Sequence, residues 1–329
     1  MIETTILGAG VMGLAIATEL AARGIKPRII DPAGKPGAHA CSWRAGGMLA
    51  PYCEAESAEP VVLRLGLDAA DWWQAQGAEV IRRGTLVLAP SRDRSELDRF
   101  ARLTQAHAAV DAAEIAALEP ELDGRFSRGL FFSTEAHLNP RAALLTLRDR
   151  LAEQGITIEP EGTPTNPTTG LTIDARGFSA RDQLSDLRGV RGEMLVLRCP
   201  EVNLTRTIRL LHPRIPLYVV CRGDGIYMIG ATMLESGGKY RVTARSAVEM
   251  LNAAYALHPG FAEAEILELG SDTRPAFPDN LPRLRRRGNT LYANGLYRHG
   301  YLLAPALARM TADYLTTGQK PEFMDEDHT

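Results

Sequence analysis

Three features of the chain predict an α/β fold that carries a second, α+β part. They are a strand–glycine turn–helix–strand unit at its start, short β segments through its middle, and a return of strand and helix near its end. The opening unit is the most specific. A short strand, Ile2 to Leu7, runs into Gly8-Ala9-Gly10-Val11-Met12-Gly13, which opens a helix from Leu14 to Arg23 that Gly24 ends. A second strand, Lys26 to Ile30, delivers Asp31, eighteen residues after Gly13. Glycines, helix and acid in this order make a Rossmann-like dinucleotide site. Gly8 permits the tight turn, Gly10 lets a pyrophosphate approach the backbone, and Gly13 lets helix pack closely on sheet. The helix N-terminus offers unsatisfied N–H groups and a positive dipole end to phosphate. Asp31 can accept hydrogen bonds from a ribose diol and repels a 2′-phosphate.

The remaining elements follow in order. Pro32 to Pro51 is rich in Gly, Ala, Ser and Pro, and a loop that long inside an α/β domain is usually functional. Val61 to Arg83 reads as one helix with Leu63, Leu67, Trp72 and Trp73 on its buried side, Leu86 to Leu88 as a strand, and Arg92 to Ala109 and Ala112 to Leu118 as helices. Gly129 to Ser133 reads as a strand. Asn139 as N-cap and Pro140 at the first helical position start a helix from Arg141 to Gln154. Gly155 to Gly170 is turn-rich and leads to a strand, Leu171 to Asp174. Short strands follow at Met194 to Leu197, Thr205 to Leu211, Leu217 to Cys221 and Ile226 to Gly230, the last two joined by the hairpin signal Gly223-Asp224-Gly225. A helix, Ala244 to Ala256, and a strand, Ile266 to Leu269, come next. The chain returns with a strand, Thr290 to Asn294, a glycine turn and a helix from Pro305 to Thr316, and beyond Glu322 it reads as a frayed acidic tail.

Composition narrows the function classes. The chain has 329 residues, a net charge of −3 and a pI near 6.2, so no global basic field invites nucleic acid or an anionic membrane. The basic cluster Arg283, Arg285, Arg286 and Arg287 precedes Gly288-Asn289 and reads as a solvated hairpin tip. Cys41, Cys53, Cys199 and Cys221 have neither CxxC nor framework spacing, which fits a reducing compartment and no structural zinc. No histidine pair has HxxxH spacing, so no metal is expected. No apolar stretch has the roughly 18 residues of a membrane span and no signal-peptide pattern opens the chain, so the expectation is a soluble cytoplasmic protein.

NAD and FAD share the opening motif, and the C-terminal element separates them. Gly295-Leu296-Tyr297-Arg298-His299-Gly300-Tyr301-Leu302 lies between a strand and the Pro305 helix. A helix N-terminus aimed at the N1/C2=O edge of an isoalloxazine would stabilise the negative charge that builds when a flavin accepts hydride. A nicotinamide gains no anion on reduction. The Arg44 to Leu49 loop, flexible at Gly46 and Gly47, can approach the flavin's other side.

The segments Gly8 to Gly13, Ala45-Gly46-Gly47-Met48-Leu49, Gly230-Ala231-Thr232-Met233, Arg274-Pro275 and Tyr297 to Pro305 stand in the order seen in the glycine oxidases. The chain thus resembles the thiamine-pathway branch of the D-amino-acid oxidase family over nearly its whole length. The resemblance implies noncovalent FAD, held by Gly8, Gly10, Val11, Met12, Gly13, Asp31, Pro32, Ser42, Gly46, Gly47, Met48, Gly177, Tyr297, Arg298, His299, Gly300, Tyr301 and Leu302. It implies an FAD domain of residues 1–70, 137–192 and 272–329, interleaved with a mainly antiparallel β-sheet substrate domain of residues 71–136 and 193–271. Arg274 matches the arginine that grips the substrate carboxylate, Arg298 a second active-site arginine, and Tyr218 and Met233 residues of the substrate pocket. The implied reaction is oxidative deamination of a small amino acid, foremost glycine, with O2 reduced to H2O2 and the imine supplying thiazole synthesis for thiamine; family members form homo-oligomers, tetramers or dimers.

Two features depart from the pattern. Arg176, in Asp174-Ala175-Arg176-Gly177, is large where a small residue is usual, and Gly155 to Gly170 is short, so the adenine-side contact has no assigned residue. The competing readings are a sarcosine, proline or D-amino-acid oxidase, a dehydrogenase with another electron acceptor, an NAD enzyme, and a non-catalytic FAD-binding subunit.

Overall fold

The computed structural model describes residues 3–161, 170–211, 217–236 and 241–326. Among these, two large sheets and a small one carry the site. The first sheet has the strand order Met324–Glu326, Arg283–Arg287, Thr290–Asn294, Leu171–Asp174, Thr4–Leu7, Arg28–Asp31, Ile158–Pro160. Its pairs are parallel except for the hairpin of Arg283–Arg287 with Thr290–Asn294. Helices Val11–Ala22, Pro140–Glu153 and Gly300–Thr317 cover it. Ile6, Ile16, Leu20, Leu147, Ile173, Leu291, Leu303 and Leu307 share its core, each fully buried. Parallel strands covered by helices read as short runs without strict alternation, as the central strands Thr4–Leu7 and Arg28–Asp31 do.

The second sheet has nine strands and is antiparallel apart from the pairing of Thr207–Leu210 with Thr85–Leu88. Its longest members, Arg188–Arg198 and Glu265–Ala276, pair along their lengths. A three-stranded sheet of Met48–Leu49, Ala136–Leu138 and Val80–Ile81 joins the parts. The α/β class with a mainly antiparallel second sheet is therefore the observed one.

Several sequence expectations need correction. Val61 to Arg83 is two helices, Pro60–Gly66 and Ala69–Ala75, followed by a short strand. The break comes where Gly66 meets Leu302 and where Gly77 takes φ 83°, so Trp72 and Trp73 are buried while Leu67 is exposed. The helix expected to Ala109 stops at Leu103; Ala106 turns left-handed, and Ala108–Asp111 becomes a strand beside Arg128–Phe132. The strands expected at Met194 and Ile266 are cores of longer ones, Arg188–Arg198 and Glu265–Ala276. The final helix begins at Gly300 and contains Pro305, and the expected frayed tail includes Met324–Glu326, paired with Arg283–Arg287. Of those arginines, Arg283 and Arg285 are ion-paired rather than merely solvated, Arg285 with Asp186 at 2.8 Å and Asp325 at 3.0 Å, while Arg286 and Arg287 donate to the Gly288 and Gln183 carbonyls. Ile2 and residues 162–169, within the turn-rich Gly155 to Gly170, lie outside the described residues.

Candidate active site

A cleft of about 450 Å³ opens at the carboxyl ends of the parallel strands and runs under the second sheet. Thr4–Leu7 delivers Gly8 and Gly10 to it, Arg28–Asp31 delivers Asp31 and Pro32, Leu171–Asp174 delivers Ala175 to Gly177, and Thr290–Asn294 delivers Asn294. Ligands of open α/β sheets bind at this edge.

The nucleotide end is built on the glycine turn. Gly8 has φ 97°, and a Cβ there would lie 2.7 Å from the Ala175 carbonyl. A Cβ on Gly13 would lie 1.9 Å from the Gly8 oxygen, so Gly13 serves helix–strand contact and does not line the cleft. Helix Val11–Ala22 starts at Gly10 with no side-chain cap, while the Val11 N–H donates to Ser42 Oγ at 3.1 Å. Asp31 is buried; its Oδ2 accepts from the Ala9 N–H at 2.9 Å, and its Oδ1 lies 2.7 Å from His39 Nε2. Arg176 lines the cleft with its charge matched, by Asp174 at 2.7 Å and Asp182 at 3.0 Å.

At the other end, the Ala45 to Met48 loop faces the start of helix Gly300–Thr317. Arg222 holds that loop, donating to the carbonyls of Gly46 at 2.7 Å, Ala45 at 3.2 Å and Leu138 at 2.6 Å. Burial lowers its pKa to about 10. Gly46 packs on Tyr218, whose ring would be 2.9 Å from a Cβ there. A smaller adjoining pocket is lined by Gly47, Met48, His299 and Leu302 together with Gly46, Tyr218, Arg298, Gly300 and Tyr301. The Tyr301 hydroxyl is within 3.1 Å of the Ser42 and Pro140 carbonyls.

Tyr218, Arg274 and Arg298 all line the main cleft. Met233 is half-exposed at its edge, with Sδ 3.6 Å from both the Tyr297 hydroxyl and Arg298 Nη1. The two arginines differ in electrostatics. Arg298 is paired with Glu54 at 2.9 Å and donates to Ser57 Oγ at 2.6 Å. Burial pushes the Glu54 carboxyl up, but Arg298, His299 at 2.8 Å and Arg209 outweigh it and hold Glu54 well below the usual carboxylate range. Arg274 donates to the Thr232 carbonyl at 3.1 Å, and among the described residues no carboxylate pairs with it. Burial pushes the Tyr218 phenol above its ordinary pKa, so it stays protonated at neutral pH.

Glu54, His39 and Arg222 escape sequence reasoning. His39 lies in the loop flagged as functional, but nothing in a single histidine marks its contact with Asp31. Glu54 and Arg222 carry no motif at all.

The open helix N-terminus, the close approach at Gly8 and Gly10, and the buried acid on the second strand fit an FAD dinucleotide. The comparisons agree. The family model described as FAD dependent oxidoreductase matches residues 3–314. A Rhizobium etli protein, named provisionally as the thiamine biosynthesis oxidoreductase ThiO, is 51% identical over 96% of this chain and 97% of its own. A glycine oxidase of Pseudomonas aeruginosa is 27% identical over 97% and 96%. The crystal structure of glycine oxidase from Geobacillus kaustophilus superposes with a TM-score of 0.79 at 21% identity, covering 98% of this chain and 96% of that one. With the family model spanning nearly its full length and the nucleotide cradle in place, the chain belongs to the FAD-dependent oxidoreductases of the D-amino-acid oxidase type, and FAD is its cofactor.

Proposed function

We propose that this enzyme oxidises glycine to its imine with O2 as electron acceptor, and that the imine feeds thiazole formation in thiamine biosynthesis. The observation that carries the reading is Arg274, a guanidinium in the cleft that no carboxylate of the described residues neutralises. Such a group recognises a carboxylate by paired N–H···O bonds that fix its orientation and charge together. Arg298 is a weaker candidate for that role because Glu54 already offsets its charge; it orders Ser57 and Met233 at the pocket edge. The protonated Tyr218 hydroxyl, on strand Leu217–Cys221 of the sheet that carries Arg274, can donate to substrate. FAD, when bound, supplies the acceptor for the α-carbon hydride.

The balance is simple. The neutral amine loses one C–H hydride and one N–H proton to become an imine, and O2 takes up the two electrons and two protons as H2O2. Imine that escapes adds water and yields glyoxylate and ammonia. No side-chain nucleophile is required, so the chain's work is to orient substrate and exclude water. The thiamine setting rests on the name of the Rhizobium etli relative. The cofactor contacts expected from the sequence, with Gly13 acting only through the packing of helix on strand, and the division into two interleaved domains belong to the same proposal.

The test is an anaerobic titration of the holoenzyme with glycine, following the flavin band near about 450 nm. Bleaching by glycine, with colour and peroxide appearing on admission of air, is the expected result. A yellow protein that glycine leaves unbleached overturns the substrate, and bleaching that air does not reverse overturns the oxidase reading.

A further inference from the structure

We propose that Gly192 and Glu193, adjacent on strand Arg188–Arg198, are positioning residues that set the Arg274 guanidinium in the cleft. The inference rests on the reading of Arg274 as the carboxylate clamp. Arg274 stands on the neighbouring antiparallel strand directly opposite Val190, and Gly192 stands opposite Asp272. Residues on one face of a strand pair meet diagonally at this offset, within reach of a long side chain. The Arg274 side chain accordingly lies over Gly192. A Cβ built there would be 2.2 Å from Arg274 Nη2, 2.4 Å from Cζ and 2.7 Å from Nη1. Only a residue without a side chain leaves that floor open. Both Gly192 and Arg274 line the cleft.

Glu193 supplies the other restraint. Successive side chains leave a strand on opposite faces, so Glu193 points away from Arg274. Its carboxylate is fully buried. Its Oε2 accepts from Thr232 Oγ1 at 3.2 Å, and its Oε1 accepts from the Thr243 N–H at 3.2 Å, with Arg191 at 3.5 Å. Its backbone clamps the same residue: the Glu193 N–H donates to Thr232 Oγ1 at 3.0 Å, and the Thr232 N–H donates to the Glu193 carbonyl at 3.2 Å. Thr232 in turn presents the carbonyl that receives Arg274 Nη1 at 3.1 Å, and the next residue, Met233, touches Arg298. The residues after strand Ile226–Gly230 have no ladder of their own at this point. Strand pairing resumes only at Leu234–Glu235, opposite Arg191 and Val190, so Glu193 anchors Thr232 itself and with it the carbonyl that aims the guanidinium.

The test uses holoenzyme variants Gly192→Ala, Glu193→Ala, Glu193→Gln and Arg274→Ala. The readouts are glycolate binding, followed by perturbation of flavin absorption, and the KM and kcat for glycine. Glycolate keeps the carboxylate of glycine and lacks the amine. Glu193→Gln retains an acceptor for Thr232 Oγ1 and should bind glycolate within about threefold of the parent. Gly192→Ala and Glu193→Ala should weaken glycolate and raise KM by about tenfold or more while kcat falls less, because the lost contact holds the substrate as well as the transition state. A purely structural role for Glu193 would lower the yield of holoenzyme without moving the dissociation constant. If Glu193→Ala does not fold, Gly192→Ala decides alone, since the flexible end of Arg274 can yield to the new methyl. Parent-like glycolate binding by Gly192→Ala or Glu193→Ala, with binding lost in Arg274→Ala, overturns the inference. Parent-like binding by Arg274→Ala overturns the carboxylate reading itself, which separates the two failures.

Discussion

Glu135 shows what burial does to a single residue here. It follows strand Arg128–Phe132, is 1% exposed, and accepts the Cys53 N–H at 2.7 Å. Burial pushes its pKa up to about 7. An acid whose pKa is raised on folding holds its proton more tightly when native, so the protein loses stability as pH rises from about 4.5 through 7. The shift corresponds to about 3 kcal/mol across that window. Glu135→Gln keeps an acceptor for Cys53 and removes the titration. Urea unfolding at pH 5 and pH 8 should therefore show the variant gaining on its parent at the higher pH; an equal difference at both would refute a raised native pKa. His137, which burial lowers to about 4, titrates in both proteins and cancels in the comparison. Glu54 behaves in the opposite way, because the charges of Arg298 and Arg209 and the contact with His299 outweigh its burial. Glu54→Ala takes from buried Arg298 its carboxylate, leaving it contacts such as that with Ser57, and leaves Arg209 only Glu56 at 3.4 Å, so it should cost about 3 kcal/mol, seen as a lower urea midpoint.

The helices show how contacts override propensity. Pro305 sits inside Gly300–Thr317, where it cannot donate to the carbonyl four residues back, that of Tyr301. That carbonyl instead receives the Trp73 indole N–H at 2.8 Å. Helix Ala69–Ala75 thus completes the C-terminal helix at the turn facing the cleft. Trp73→Phe keeps the ring packing and orphans the carbonyl, so thermal unfolding should show a loss of about 1–3 kcal/mol; an unchanged midpoint would mean that water replaces the indole. The glycine turn has a graded sensitivity. Gly13→Ala drives a methyl to 1.9 Å from the Gly8 oxygen, whereas Gly10→Ala meets only Ser42 Oγ at 3.2 Å. Gly13→Ala should lower stability by about 3 kcal/mol or more in chemical unfolding, through strain that the two backbones cannot relieve. Gly10→Ala should spare the fold and weaken FAD retention on gel filtration.

At the scale of the molecule, the cleft lies where the two large sheets meet, and ionic contacts cross the junction. Arg44 pairs with Asp272 at 3.1 Å, Arg141 with Glu268 at 2.5 Å, and Arg222 holds the Ala45–Gly46 loop. Cofactor contacts on both sides would link FAD binding to overall stability. Free FAD at a hundred times its dissociation constant should stabilise the native protein by about 2.7 kcal/mol relative to the apoprotein. A melting temperature independent of added FAD would contradict this linkage. Among the described residues no helix is long and apolar enough to cross a membrane.

The sequence by itself determined the strand–turn–helix–strand framework at one end of the cleft. Gly8 to Gly13 form one strand–turn–helix unit, and Asp31 on the next strand meets it through the Ala9 N–H at 2.9 Å, so a short spacing carries the geometry. Strands Leu171–Asp174, Leu217–Cys221 and Ile226–Gly230 were equally legible, because turn residues bound short apolar runs. Tertiary structure decided the rest. It ended the Val61 helix at Gly66 against Leu302, turned Ala108–Asp111 into a strand beside Arg128–Phe132, and drew Met324–Glu326 onto Arg283–Arg287. It also chose the charges of the substrate end. Nothing in the order of residues tells that Glu54 meets Arg298, 244 positions later, or that Gly192 leaves room for Arg274. Pairings across such separations come from the packing of sheets, and packing sums many weak contacts that no short segment encodes.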